Sequence, residues 1–205
     1  MDDSQIRKKA KVAIKELAKD FLGGNRAFFF RNESDIQCRL FRRLTQKGIP
    51  IDLVHAEYGM YWDEKARIKR RGAIDIAVWR PERKNDAIEL WGKSHLEFSR
   101  QMPDILAVAI EIGYFYGADT STRQKFETIR GLQNDPDIQK LIKVADGGTD
   151  AYLMIFWDHD VNDDTDASTS RSQIRQALRR LCRKYSVKSI LVSRDDKKFR
   201  RIGFR

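Results

Sequence analysis

Ala73-Ile74-Asp75-Ile76-Ala77-Val78-Trp79 and Ile105-Leu106-Ala107-Val108-Ala109-Ile110-Glu111-Ile112 decide how this chain is read. Both are runs of β-forming and small apolar residues. Such runs make strands, and the second is apolar enough to be buried on both sheet faces. Each has one carboxylate inside it. A carboxylate in an apolar strand is costly unless it is paired, hydrogen-bonded or bound to metal. One such residue usually pairs with an arginine. Two, on strands that can be neighbours, suggest a hard cation held by oxygen ligands. Phosphodiester cleavage uses that arrangement, because a metal polarises the phosphoryl oxygen and lowers the pKa of a bound water.

Outward from these strands, periodicity places the other elements. Residues 4–22 predict a helix with Ile6, Val12, Ile14, Leu17, Phe21 and Leu22 on its apolar stripe, ended by Gly23 and Gly24. Asn32 is a good N-cap for a second helix, 33–47, with Ile36, Leu40 and Leu44 on one face, stopped by Gly48 and Pro50. Strands are expected at 51–62 and 73–79, joined by a very basic connection. Residues 80–104 read as an insertion with its own short strand around Ile88–Trp91. After the strand at 105–112, helices are expected from about Thr120–Thr122 to Leu132 and from Asp137 to Val144. A strand at 151–157, an acidic loop, a basic helix at 171–185 and a strand at 187–193 complete the chain. This order calls for an α/β fold, a mixed sheet flanked by helices.

The chain has 205 residues, 41% hydrophobic and 34% charged, with a formal net charge of +10. That fits a single domain, 1–205, with residues 1–30 as an N-terminal helical extension. The basic excess favours a polyanionic partner, since each neutralised phosphate releases counterions. An anionic membrane surface is the weaker option, because no separate amphipathic basic helix stands out. Cys38 and Cys182 lack CxxC spacing, and His55, His95 and His159 are scattered, which argues against zinc. No apolar run reaches membrane-spanning length, and the first twenty residues are charged throughout. A cytoplasmic protein without a membrane partner is expected.

The chain resembles the PD-(D/E)xK nuclease superfamily over about residues 30–160. The resemblance rests on the helix opening with Asn32-Glu33, on Gly72-Ala73-Ile74-Asp75-Ile76 after a basic loop, and on Ala109-Ile110-Glu111-Ile112-Gly113. The following helix and the strand at 151–157 extend it. It implies a restriction-endonuclease-like core of order αβββαβ, here with an added C-terminal helix and strand. It also implies that Asp75 and Glu111 bind Mg2+, with Mn2+ as a substitute. The family's lysine, two residues after the glutamate, is Gly113 here. Some members take that lysine from the next helix, and Lys125, in line with Ile129 and Leu132, is the candidate catalytic lysine. Glu33 is the candidate third carboxylate, catalytic and metal-binding, and Gln37 one turn on would line the same cleft against nucleic acid. Glu57 is a further candidate, with an exposed edge residue as the plainer reading. Asp104, after Pro103, matches the family's name literally, but Asp75 has the better apolar context.

Lys65, Arg67, Lys69, Arg70 and Arg71 lead into the Asp75 strand and would grip the nucleic-acid backbone beside a metal. A solvated hairpin loop is the competing view. In the helix at 171–185, Ile174, Leu178 and Leu181 must face the sheet, and its many arginines read as a solvated face. The acidic loop with Asp158, Asp160, Asp163, Asp164 and Asp166 lacks the Gly and Glu of a calcium loop. Trp62, Trp79, Trp91 and Trp157 read as core. The function implied by the resemblance is a Mg2+-dependent deoxyribonuclease, an endonuclease acting on double-stranded DNA, either as a monomer or as a homodimer. Two other readings stand beside it. One is a non-catalytic DNA-binding or assembly protein that keeps the fold. The other is a regulatory protein whose basic surface binds a protein partner.

Overall fold

The computed structural model describes residues 1–22, 32–61, 71–91, 104–116, 129–158, 165–193 and 201–202. Helix α1 (Asp3–Leu22) buries Ile6, Ala10, Ala13, Ile14, Leu17, Ala18 and Phe21. Val12, expected on that stripe, is 38% exposed, and small alanines take the sheet-facing positions instead. Helix α2 (Glu33–Gln46) starts where Asn32 Oδ1 accepts the Asp35 N–H at 3.0 Å, and it buries Ile36, Leu40 and Leu44. That is a side-chain cap satisfying a helix donor that has no intrahelical partner.

A short turn at Ile51–Leu53 precedes strand β1 (Val54–Tyr61), so the predicted first strand starts three positions late. Strand β2 (Arg71–Trp79) follows, then helix α3 (Lys84–Trp91) and strand β3 (Leu106–Tyr116). Helices α4 (Ile129–Asn134) and α5 (Pro136–Asp146) lead to strand β4 (Asp150–Asp158). Helix α6 (Thr165–Lys184), strand β5 (Lys188–Ser193) and the two-residue strand β6 (Arg201–Ile202) end the described chain.

The sheet order is β1-β2-β3-β4-β5-β6. The pairs β1–β2, β2–β3 and β5–β6 are antiparallel, while β3–β4 and β4–β5 are parallel. A parallel pair needs a crossover, and α4–α5 and α6 supply the two. The result is an α/β architecture, an open mixed sheet flanked by helices. The central strands read as continuous apolar runs because they are covered on both faces: Leu106 to Ile110 and Tyr152, Met154, Ile155 and Phe156 have no exposed surface. Arg7 of α1 ties the helix to the start of β4, with Nη1 at 3.1 Å from Asp150 Oδ1 and Nη2 donating to Gly148 O at 2.8 Å. Lys188 of β5 meets the same aspartate at 2.7 Å. Burial works against the Asp150 charge, but Lys188 and Arg7 outweigh it and hold the carboxyl below its ordinary value.

Two further elements differ from expectation. Ile88–Trp91 is helix, not strand: Pro81 opens a turn at Pro81–Arg83 that runs directly into α3, and four residues are too few to fix a period of two. Helix α6 begins at Thr165, inside the stretch expected to be loop, because its first turns carry no apolar stripe to betray them. Strand β6 was not foreseen. The helix expected from Thr120 is described only from Ile129 onward. Among the described residues no helix is long and apolar enough to cross a membrane.

Candidate functional site

The β2–β3 ladder runs from Trp79↔Leu106 to Ile76↔Ile110 and ends there. Asp75 and Glu111 each stand one residue beyond the last pair, on adjacent central strands. In place of a ladder bond, Asp75 Oδ2 accepts the Ile112 N–H at 2.7 Å. A carboxylate accepting a backbone N–H is a strong, charge-assisted bond, so it pins the Asp75 side chain against β3. On the other side, Glu57 falls between the pairs Ala56↔Ile76 and Tyr58↔Ile74, level with Asp75. Glu57, Asp75 and Glu111 therefore occupy successive strands at one level of the sheet. Gln37 of α2 donates from Nε2 to Glu57 Oε1 at 2.7 Å and to Asp75 O at 2.8 Å, joining helix and sheet beside this row.

Glu111 and Lys140 are the only charged side chains fully buried among the described residues, each 3% exposed. They touch. Lys140 of α5 places Nζ 3.0 Å from Glu111 Oε1 and 2.8 Å from Asp137 Oδ1. Nζ also donates to Ala73 O on β2. One ammonium thus faces three oxygens from two strands and its own helix. The Glu111 contact is an ion pair outside hydrogen-bond geometry, and buried Oε1 accepts no hydrogen bond. Helix α5 is set for this by its own cap: Asp135 Oδ1 accepts the N–H groups of Asp137 at 3.0 Å and Ile138 at 3.4 Å. Ile138, Leu141, Val144 and Ala145 then pack inward and carry Lys140 with them.

These groups act on one another. Burial, and then the Asp75 charge, push Glu111 well above the ordinary carboxyl range against the pull of Lys140. Burial raises Asp75 to about 6, with the Ile112 N–H opposing it and Glu57 adding to it. Glu33, at the solvent-facing rim, is pushed up to about 7 by loss of hydration and then by Asp75, Asp137 and Glu57, with Lys140 opposing. Burial would lower Lys140, but Glu111 and Asp137 more than compensate and leave it raised. Glu33 therefore belongs electrostatically to the same cluster, although it lies on α2.

A pH dependence follows. Carboxyls that bind protons more readily folded than unfolded stabilise the fold in acid, and that contribution is lost as pH rises through the folded values. For Asp75 and Glu33 the loss runs from the unfolded carboxyl range near pH 4 up to about 6 and about 7. Thermal melts should thus show a contribution to Tm that fades between about pH 4 and 7. Glu33→Gln should flatten the upper part of that decline, and an unchanged pH profile in this variant would contradict the coupling.

Glu57 has φ 51°, the only non-glycine residue with positive φ among those described. An L-residue in the left-handed region costs about 1–2 kcal/mol. Glycine within a strand normally costs about 0.5–1 kcal/mol. At this position the two effects oppose, so Glu57→Gly should be neutral or mildly stabilising in chemical denaturation despite losing the Gln37 bond. A loss of more than about 1 kcal/mol would mean the strain is not relieved.

Asp75, Glu111, Glu33, Gln37 and Glu57 are thus brought into one region from α2, β1, β2 and β3. Asp104 is exposed and precedes β3, away from this level of the sheet. Lys125 lies outside the described residues, as do Lys65, Arg67, Lys69 and Arg70; Arg71 is the first residue of β2. At Gly113 an added Cβ would meet Ile155 Cγ1 at 3.8 Å and Met154 O at 4.0 Å, ordinary contacts, so packing does not demand glycine there. Lys140 and Asp137 were missed by sequence reasoning. A signal existed: Lys140 lies four residues before Val144 on the inward side of α5, the same spacing argument that selected Lys125. In α6, Ile174, Leu178 and Leu181 are buried and Arg179, Arg180 and Arg183 exposed, while Trp79 and Trp157 are core. Among the described residues no group of three or more His, Cys, Asp or Glu side chains is gathered closely enough to hold a metal ion. No protein-family model, curated protein or solved structure matches the chain.

Proposed function

We propose that this chain is a metal-dependent nuclease with a restriction-endonuclease-like core, built from α2, β1, β2, β3, α5 and β4. The observation that carries the reading is the pair Asp75–Glu111 at the end of the β2–β3 ladder, with a buried lysine against it. The donor chemistry suits Mg2+ or Mn2+: the side chains are hard oxygens, and Glu111 Oε1 is buried without a hydrogen bond. Asp75 and Glu111 would be the two protein ligands of the ion, with water filling the rest of its shell and Glu33 at the rim facing it through such a water. A bound ion would supply Lewis-acid polarisation of the phosphoryl oxygen and a more acidic water.

The chain's own residues supply the rest. The Ile112 N–H holds the Asp75 carboxylate in place. Gln37 links α2, the helix that carries Glu33, to β1 and β2. A positive group is needed where charge builds on the phosphate, and Gly113 cannot supply one. Lys140 stands beside Glu111 and takes that role in this reading, with Lys125 the other candidate. The basic run from Lys65 to Arg71 and the net charge of +10 favour nucleic acid, double-stranded DNA first, as substrate. An intracellular location and action as a monomer or a homodimer belong to the same proposal.

Incubating the protein with circular and linear DNA and with RNA, in Mg2+, Mn2+ or EDTA, tests the reading. Metal-dependent cleavage of DNA is expected. Binding should also weaken steeply with salt, and neutralising Lys65, Arg67, Lys69, Arg70 and Arg71 should flatten the log–log slope by about 0.9 per phosphate contact removed. An unchanged slope would take the phosphate-gripping role away from that run. One observation favours a second reading, a non-catalytic DNA-binding protein: Lys140 already neutralises Glu111, as a fold that had given up its metal would require.

A further inference from the structure

Glu111 is held by a lysine in a position where a nuclease would hold a metal, and this has a consequence for the ion itself. Nζ of Lys140 lies 3.0 Å from Glu111 Oε1 and 2.8 Å from Asp137 Oδ1, and it donates to Ala73 O. Carboxylate and carbonyl oxygens are the ligands a divalent cation prefers. Oε1 of Glu111 has no hydrogen-bond partner to hold it to the lysine beyond the ion pair. Lys140 is almost wholly buried, whereas Asp137 opens to solvent, with its side chain 59% exposed.

We propose that Lys140 is a tethered counter-cation that competes with a divalent ion for Glu111. With the ammonium against Oε1, a divalent ion on that oxygen would stand at contact distance from a like charge, and one on Oε2 would still be repelled by it. Metal entry at Oε1 therefore requires Nζ to withdraw from Glu111, and Asp137 and Ala73 O remain as its partners when it does. The lysine neutralises the carboxylate in the metal-free protein, and its displacement couples metal binding to freeing an ammonium beside the site. This rests on the metal-site reading of Asp75 and Glu111, but not on cleavage.

Mn2+ binding, followed by electron paramagnetic resonance and calorimetry in the absence of nucleic acid, tests the proposal. Lys140→Met should bind Mn2+ about tenfold or more tighter than wild type, since a like charge at the ligand is gone. Lys140→Met with Glu111→Gln should lose that gain. Equal or weaker Mn2+ binding by Lys140→Met overturns the proposal. Should that variant fail to fold, wild type labelled with 13C at lysine Cε decides: the Lys140 signal should move as Mg2+ is added, and saturation of the site with that signal unmoved overturns it. The outcomes separate the two claims. Wild type that binds no metal beside a Lys140→Met variant that does supports the competition and removes the nuclease reading. Cleaving wild type with unchanged affinity in Lys140→Met keeps the nuclease reading and removes the competition. Metal binding in neither protein overturns both.

Discussion

Replacing Lys140 with methionine should destabilise the fold by about 3–5 kcal/mol near pH 8, the usual cost of removing one partner from a buried ion pair. The cost arises from Glu111, which is 3% exposed and whose Oε1 has no hydrogen bond to fall back on. Methionine has nearly the length of lysine, so little packing is lost and the effect is mainly electrostatic. A stranded buried carboxylate escapes by taking up a proton. Burial and Asp75 already favour that protonation, so the penalty should shrink as pH falls toward 5. The double variant Lys140→Met with Glu111→Gln has no buried charge to strand and should recover most of the stability. Urea denaturation of the three proteins at pH 5 and pH 8 measures both effects. A Lys140→Met protein as stable as wild type at pH 8 would show that Glu111 does not depend on the lysine.

The central strands were legible because their chemistry is uniform. Ala73–Trp79 and Ile105–Ile112 read as buried strands, and Leu106 to Ile110 are indeed fully covered. The two carboxylates stood out for the same reason, as charges in apolar surroundings. Asn32 announced α2, and its side chain does cap the Asp35 N–H. Ile88–Trp91 was misread because a short apolar run has no period of its own, and the turn at Pro81–Arg83 decides its helical fate from outside the run. Lys140 was the larger omission. In Gln139-Lys140-Leu141-Ile142-Lys143 the two lysines look alike, and only the docking angle of α5 on β2, β3 and β4 buries Lys140 while leaving Lys143 partly exposed. Such an angle is a tertiary property, set by Ile138, Leu141 and Val144 against the sheet. Glu57 shows the same limit. It reads as an edge residue, and it is exposed, yet its positive φ and its bond from Gln37 tie it to the site.

Glu111→Gln and Asp75→Asn should each abolish metal-dependent cleavage of DNA, by about a thousandfold or more, while leaving DNA binding within a few-fold of wild type. Both substitutions keep shape and remove a charged oxygen that would face the ion. Glu111→Gln leaves Lys140 with Asp137 and Ala73 O as partners, so the change spares the fold. Asp75→Asn keeps a side-chain carbonyl oxygen able to accept the Ile112 N–H that Asp75 now accepts. The most direct measurement is the single-turnover cleavage rate of a labelled DNA duplex in Mg2+ and in Mn2+, for wild type and Glu111→Gln side by side at protein concentrations that saturate binding. Cutting by wild type that EDTA stops, and none above background by the variant, is the expected result. Equal cutting by the two proteins, or none by wild type on any DNA or RNA with either metal, would contradict it.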